Sequence, residues 1–96
     1  MRYILSPRVQ NDLEAIAEWI AEDSPRRALR TLRELRAEFR KIAEHPMVYR
    51  VRPEIGEDAR LATLGRHVIL FRIDKDMLRF ERVVYGGRDL APLFPG

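Results

Sequence analysis

Near the end of the 96-residue chain, one stretch reads Phe80-Glu81-Arg82-Val83-Val84-Tyr85-Gly86-Gly87-Arg88-Asp89. Its β-branched and aromatic residues predict a strand, and the double glycine predicts that this strand ends in a flexible turn. The strand therefore brings an aromatic hydroxyl and two guanidinium groups to one edge of the fold. Such an edge is suited to binding. The predicted structure of the other segments indicates which side chains surround it.

The residues before this stretch continue the strand pattern toward the amino terminus. Three strands are predicted at residues 59–64, 67–73 and 77–85. Gly65-Arg66 and Asp74-Lys75-Asp76 are short enough to join them as tight turns. The simplest arrangement is an antiparallel meander.

Side chains on a strand alternate between the two faces of the sheet, which assigns each residue a face. The set expected to meet the helices is His67, Ile69, Phe71, Ile73, Leu78, Phe80 and Val84. On the other, open face we expect Val83 and Glu81 together with four arginines and a tyrosine, namely Arg60, Arg66, Arg72, Arg79 and Tyr85. Strict alternation would bury Arg82, where an unpaired guanidinium is too costly. We therefore predict that Arg82 lies at the sheet rim or pairs with a carboxylate.

Two helices are predicted between the first strand, at residues 1–5, and the meander. Ser6-Pro7 and Ser24-Pro25 each supply a capping hydroxyl followed by a proline suited to the first helical turn. One apolar stripe follows each start: Val9, Leu13, Ile16 and Ile20, then Ala28, Leu32, Leu35, Phe39 and Ile42. His45-Pro46 ends the second helix, and a loop follows over 47–58. The prediction is a single domain over residues 1–96 of the α+β class, ordered β-α-α-β-β-β, with a helical hairpin on one face of a mainly antiparallel sheet.

Composition narrows the classes of function. The chain has no cysteine, no apolar run of about 20 residues and no signal-like start, so we expect a cytoplasmic protein without membrane contact. The net charge of +3 is too small for strong general attraction to nucleic acid. It is unevenly placed: two basic and five acidic side chains over residues 1–23 give −3, whereas seven and three over residues 24–44 give +4.

The residue inventory offers little for catalysis. There is no glycine-rich phosphate loop, no nucleophile motif and no cluster of metal ligands, so no cofactor or metal is expected. One enzymatic interpretation remains open, namely RNA cleavage on the basic face with Tyr85 as a participant. A general base is missing, because neither Lys41 nor Lys75 falls on that face. His67 begins a strand, where a structural role is favoured.

Six segments that span nearly the whole chain resemble the ParE-type toxins of the RelE/ParE superfamily, also called plasmid-stabilisation proteins. In order, they are Tyr3-Ile4-Leu5-Ser6-Pro7, Asp12-Leu13 with Ile16, Glu44-His45-Pro46, Arg52-Pro53-Glu54, Val68-Ile69-Leu70-Phe71-Arg72 and Arg82-Val83-Val84-Tyr85-Gly86-Gly87-Arg88-Asp89. Two positions depart from the family pattern, since Tyr85 replaces a common histidine and Gly87 an arginine. The histidine contributes to catalysis in some RNA-cleaving relatives, so its replacement counts against a nuclease.

The resemblance implies a non-enzymatic toxin of a type II toxin–antitoxin system that inhibits DNA gyrase, stalling it on cleaved DNA. It also implies a small antitoxin that wraps the toxin in a hetero-oligomer, with no sequence-specific contact to nucleic acid. A ribosome-dependent mRNA endonuclease of the RelE type and an inactive homologue that only binds antitoxin remain alternatives.

Two groups of contact residues are expected from these hypotheses. The target would meet Arg60, Arg82, Tyr85, Arg88, Leu93 and Phe94. The antitoxin, lying across the hairpin and the sheet, would meet Leu13, Ile20, Leu29, Arg72 and Arg79. The apolar residues of the tail are expected to dock on their own sheet, and the alternative is that they wait for a partner.

Overall fold

The computed structural model describes residues 1–95, and Gly96, at the end of the predicted tail, lies outside them. The predicted order of elements is confirmed. The elements are β1 (Arg2–Leu5), α1 (Pro7–Ala21), α2 (Pro25–Glu44), β2 (Arg60–Leu64), β3 (His67–Asp74) and β4 (Met77–Tyr85), with short 3₁₀ turns at Pro46–Val48 and Ala91–Leu93. Among residues 1–95, no helix is both long and apolar enough to cross a membrane.

The four strands form one sheet in the order β1-β4-β3-β2. The meander is antiparallel, as predicted, with Leu64 opposite His67 at the first turn and Asp74 opposite Met77 at the second. The first strand joins the sheet beside the last one and runs parallel to it, with Tyr3 opposite Leu78. This pairing places β4 in the interior of the sheet, between β1 and β3.

Both helices begin as the sequence indicates. The hydroxyl of Ser6 accepts a hydrogen bond from the N–H of Val9, and that of Ser24 accepts one from Arg27, each at 3.2 Å. These bonds satisfy amide groups that a helix start otherwise leaves without partners. The apolar stripes of the two helices then pack on one face of the sheet, forming the main core with Ala62, Ile69, Phe71, Leu78, Phe80 and Val83. The faces predicted for β3 are confirmed.

The fourth strand departs from strict alternation because it contains a β-bulge. Phe80 lies opposite Phe71 and Arg82 lies opposite Leu70, so Glu81 is an extra residue without a partner on β3. An extra residue shifts every later side chain to the other face. The prediction for Val83 and Val84 is therefore wrong in its orientation: Val83 packs in the main core and Val84 on the opposite side of the sheet.

The second face of the sheet was expected to be open, and this too is corrected. It carries a smaller core made of Ile55, Ala59, Val68, Leu70, Val84 and Phe94. The tail therefore docks on its own sheet, with Phe94 only 5% exposed. Its ring lies so close to Gly56 that a Cβ atom there would come within 2.6 Å of Phe94 Cδ2. A larger residue at position 56 would displace the ring.

The five residues expected to make one basic face do not share a surface. Arg72 and Arg79 both pair with the carboxylate of Glu81, which is 2% exposed. The N–H of Arg79 donates a hydrogen bond to Oε1 at 3.1 Å, whereas Arg72 Nε lies 2.9 Å from Oε2 without hydrogen-bond alignment. Arg60 donates instead to the carbonyl oxygen of Tyr49.

Two members of that expected basic face remain on the surface, in different places. Arg66 is exposed in the β2–β3 turn. Tyr85 packs on the helix side, because the bulge reverses its face as well. The predicted open arginine face is therefore absent from the part of the chain that the structure describes.

Candidate functional site

A groove of about 460 Å³ runs between α1 and the end of β4, and we call it the α1–β4 groove. It is lined by Asp12, Ala15, Ile16, Trp19, Arg82, Val83, Val84, Tyr85 and Arg88. The groove exists because β1 ends at Leu5 while β4 continues to Tyr85. The last residues of β4 have no strand beside them on that side, and α1 lies across the free edge.

The floor of the groove is an ion pair between α1 and β4. The carboxylate of Asp12 accepts hydrogen bonds from Nε and Nη2 of Arg82, both at 2.9 Å. One of its oxygens also accepts the backbone N–H of Val83 at 2.9 Å. The bidentate geometry fixes the guanidinium plane, and the third bond satisfies an amide on the free edge of the strand. The hydrogen bond to Asp12 raises the pKa of Arg82, so the guanidinium stays charged.

The prediction that Arg82 lies at the rim or pairs with a carboxylate is confirmed, because Arg82 pairs with Asp12. With its charge balanced by Asp12, Arg82 can contact a partner without the full cost of burying an isolated cation.

Two aromatic side chains stand at one end of the groove. Trp19 is 63% exposed and Tyr85 is 38% exposed, and their rings meet edge to face with centroids 6.0 Å apart. The pair offers an apolar surface with an N–H and a hydroxyl at its margins. Exposed Arg88 adds a positive charge to the wall.

Sequence reasoning did not identify Trp19 as a functional residue. A signal was available, because Trp19 lies on α1 but outside the apolar stripe that ends with Ile16 and Ile20. A large aromatic residue away from the buried stripe of an amphipathic helix has no core to enter. Such a residue is a candidate contact for a partner.

His67 lies behind Tyr85, with the two ring centroids 4.8 Å apart. Burial lowers the pKa of His67, partly offset by a hydrogen bond to the backbone of Leu64, so the ring is neutral at neutral pH. Its Nε2 atom is buried and has no hydrogen-bond partner. A buried nitrogen without a partner is poorly placed to take a proton from a bound substrate.

The other predicted contact residues are distributed as follows. Arg82, Tyr85 and Arg88 come together in the α1–β4 groove, whereas Arg60 lies apart from them. Leu93 and Phe94 belong to the second core, and Leu13 and Ile20 to the main core. Leu29 is exposed on the hairpin, and Arg72 and Arg79 hold Glu81.

The composition of the α1–β4 groove is typical of a protein-binding surface. It combines tryptophan, tyrosine and arginine, the three residue types that contribute most often to binding energy at protein interfaces. Within residues 1–95, no group of three or more histidine and carboxylate side chains could hold a metal ion.

Comparison with protein families gives a match that spans most of the chain. The model described as ParE toxin of type II toxin-antitoxin system, parDE, matches residues 3–90. The chain belongs to the ParE toxin family. A comparison with curated protein sequences finds no match. Among solved structures, a chain of the chromosomal ParDE toxin–antitoxin system from P. aeruginosa is similar, with a TM-score of 0.78 and 18% identity, covering 88% of this chain and 95% of that one.

The resemblance inferred from the sequence is thus confirmed for both family and fold. As a ParE family member, this chain shares with the P. aeruginosa structure two helices packed on a four-stranded, mostly antiparallel sheet. The α1–β4 groove is built on the segments that carried the resemblance, since Asp12 comes from one of them and Arg82 to Arg88 from another.

Proposed function

We propose that this ParE family member is a toxin that binds DNA gyrase through the α1–β4 groove and stops replication without catalysing a reaction. The observation that supports this function best is the exposed pair of Trp19 and Tyr85 beside Arg82 and Arg88. An exposed aromatic pair flanked by arginine has the composition of an interface centre. Association removes little side-chain freedom from Arg82, because Asp12 already holds its guanidinium.

The contacts elsewhere in the chain count against a nuclease. Arg72 and Arg79 could stabilise the charge on a phosphate during cleavage, but both side chains pair with Glu81 instead. The histidine nearest to Tyr85 has an enclosed Nε2. A ribonuclease needs a base, an acid and a cation that converge on one phosphate. The carboxylate that lines the groove, that of Asp12, is already bound by Arg82 and by the N–H of Val83, which favours action by binding over catalysis.

The same groove is where we place the antitoxin. The groove between α1 and β4 can accept a segment of the antitoxin, and the aromatic pair can accept its apolar side chains. Exposed Arg88 favours an acidic residue in that segment. An antitoxin that orders upon this surface would exclude gyrase, giving a neutralised hetero-oligomer in the cytoplasm.

Supercoiling by purified gyrase tests the target. We expect a dissociation constant in the micromolar range, so the protein at about micromolar concentration should inhibit supercoiling and trap cleaved DNA. Trp19→Ala should weaken inhibition at least about tenfold, as expected for a residue at an interface centre. Met47→Ala is the matched control, because Met47 is as exposed as Trp19 but lies outside the groove. Normal supercoiling with wild-type protein would contradict the proposal.

Mapping of mRNA ends after induction separates the alternatives in cells. Intact transcripts with an early DNA-damage response support gyrase as the target. Transcripts cut during translation would instead support the RelE-type nuclease. Growth that continues normally while the lone chain accumulates would indicate an inactive homologue that only binds antitoxin.

A further inference from the structure

A second cavity, of about 310 Å³, adjoins the α1–β4 groove at the aromatic pair. Trp19 and Tyr85 line both cavities. The other walls of the second cavity come from the end of α1, the first turns of α2 and the β2–β3 turn. We call it the basic cleft, because Arg27 and Arg66 line it. A bound chain that fills the groove can therefore extend past the two rings into the basic cleft.

The two arginines of the basic cleft come from different elements. Arg27 lies in the first turn of α2 and Arg66 in the β2–β3 turn, and both are exposed. Neither forms an ion pair with another residue within 1–95. Thr31, one turn after Arg27 on the same helix face, adds a hydroxyl donor to the wall. Two unpaired guanidinium groups and a hydroxyl that line one cavity are suited to an anion.

One acidic side chain also lines the basic cleft. Glu34 is exposed and lies two turns after Arg27, about 10 Å farther along the axis of α2. Salt largely screens exposed charges that are this far apart. The part of the cleft between Arg27 and Arg66 is therefore positive, and Glu34 weakens its attraction for an anion only slightly.

We propose that the basic cleft binds a carboxylate side chain of the gyrase segment whose apolar side chains occupy the α1–β4 groove. This inference rests on the proposed function and adds the chemistry of the bound segment, namely apolar residues next to aspartate or glutamate. The carboxylate accepts charge-assisted hydrogen bonds from Arg27 and Arg66. Ile20 and Leu64 give the cleft apolar walls, which strengthen these bonds by excluding water.

The adjoining groove favours a peptide over a nucleic acid as the source of the anion. Between Trp19 and the ion pair of Asp12, the groove is lined by Ala15, Ile16, Val83 and Val84. These side chains can cover apolar groups of a peptide but offer no charge to a phosphate backbone. One carboxylate beside apolar side chains therefore matches the two cavities together.

A fluorescence titration tests the chemistry without gyrase. Trp19 is the only tryptophan of the chain, so its emission reports binding at the basic cleft. A short blocked peptide of alternating leucine and glutamate should change this emission to saturation. The same peptide with glutamine in place of glutamate should bind about fivefold more weakly, as expected for the loss of an exposed ion pair. Equal binding of the two peptides overturns the inference.

Variants of the charged residues locate the site. Arg27→Glu and Arg66→Glu should each weaken binding of the glutamate peptide about tenfold, because repulsion replaces attraction. Glu34→Gln should strengthen it about twofold. Arg40→Glu is the matched control, since Arg40 is exposed on α2 and lines neither cavity.

Folding of these variants is checked by circular dichroism and melting temperature. Arg27→Glu places an acid in the first turn of α2, where the helix dipole favours it, so its stability should match or exceed that of the wild type. Arg27→Gln and Arg66→Gln remove the charge without adding an acid and should weaken peptide binding about threefold. Unchanged peptide binding in these glutamine variants would also contradict the inference.

Binding of purified gyrase to the same proteins separates the inference from the proposed function. The double variant Arg27→Glu with Arg66→Glu should bind gyrase at least about tenfold more weakly than the wild type, and Arg40→Glu should bind normally. Normal gyrase binding by the double variant overturns the inference and leaves the proposed function supported. A wild type that binds the glutamate peptide but not gyrase contradicts the proposed function while supporting a carboxylate site. Tighter binding of a single-stranded DNA oligomer than of the glutamate peptide would assign the basic cleft to nucleic acid and overturn the inference.

Discussion

The hydroxyl of Ser6 donates a hydrogen bond of 3.0 Å to the carbonyl oxygen of Glu81, a residue 75 positions later in the chain. The backbone N–H of Ser6 also donates to the carbonyl oxygen of Phe80, at 2.9 Å. One buried side chain thus caps α1 and holds the bulge of β4. Because the bulge sets the face of Tyr85, the start of the first helix governs the shape of the α1–β4 groove.

Ser6→Ala should destabilise the protein by about 2–4 kcal/mol, since it removes a helix cap and leaves the carbonyl of Glu81 without a partner. Urea denaturation measures the change. Ser24→Ala is the matched control, because Ser24 caps α2 at an exposed site and makes no second bond. Its cost should be about 1 kcal/mol. Equal costs for the two variants would show that the bond to the bulge contributes nothing.

Asp12→Ala should cost about 2–3 kcal/mol, because it leaves both the guanidinium of Arg82 and the N–H of Val83 unpaired in a mostly buried site. Arg82→Met, which replaces the cation by an apolar chain, should cost less than Asp12→Ala. Combining the two changes should recover part of the loss, and a double-mutant cycle of unfolding free energies measures this coupling. Glu54→Ala, at the exposed pair with Arg52, should leave the stability nearly unchanged, because solvent screens an exposed ion pair.

Gly56→Ala should destabilise the protein by about 1–3 kcal/mol, because the new methyl group would occupy the space of the Phe94 ring. Phe94→Ala alone should cost about 2–4 kcal/mol through the cavity it leaves. In the Phe94→Ala background, Gly56→Ala should be nearly neutral, since the clash is gone. If the two changes are simply additive in thermal or urea denaturation, the tail does not pack against Gly56 in solution.

Acid should destabilise the fold through His67. Its pKa is lowered in the folded protein, so the unfolded chain takes up a proton first as the pH falls below the ordinary value of about 6.5. The contribution of neutral His67 to the free energy of unfolding is fully present above that value. It is lost as the pH falls toward the pKa of His67 in the folded protein. The melting temperature of the wild type should therefore fall more, between about pH 7.5 and about pH 5, than that of His67→Phe.

His67→Phe is a suitable comparison because it keeps a ring against Tyr85 and cannot titrate. A His45→Gln variant, which retains His67, should keep the acid sensitivity of the wild type. Identical pH profiles for His67→Phe and the wild type would show that burial of His67 does not contribute to the acid response.

Local patterns in the sequence were sufficient to predict the helices and strands of this fold. Ser6-Pro7 and Ser24-Pro25 start the helices, and spacings of three and four residues define their buried stripes, as the structure confirms. These signals are local because capping and amphipathicity depend on neighbours within one or two turns. The same holds for the alternation on β3, which is regular from end to end.

The α1–β4 groove was predicted only in part. Arg82, Tyr85 and Arg88 are only three positions apart in the sequence, so their proximity could be predicted without the tertiary structure. Trp19 comes from a helix more than 60 residues away, and only the docking of α1 on β4 brings it to Tyr85. The basic face failed as a prediction because Glu81, expected on the surface, is buried between Arg72 and Arg79.

The sequence by itself determined the order of elements, the helix starts, the main apolar stripes and the resemblance to the ParE family. Only the tertiary structure decided which face each residue of β4 occupies after Phe80. One inserted residue reverses every later side chain, and the position of a bulge depends on a partner strand and on Ser6, not on local pattern. That single shift moved Tyr85 from an expected open face to the wall of the groove beside Trp19.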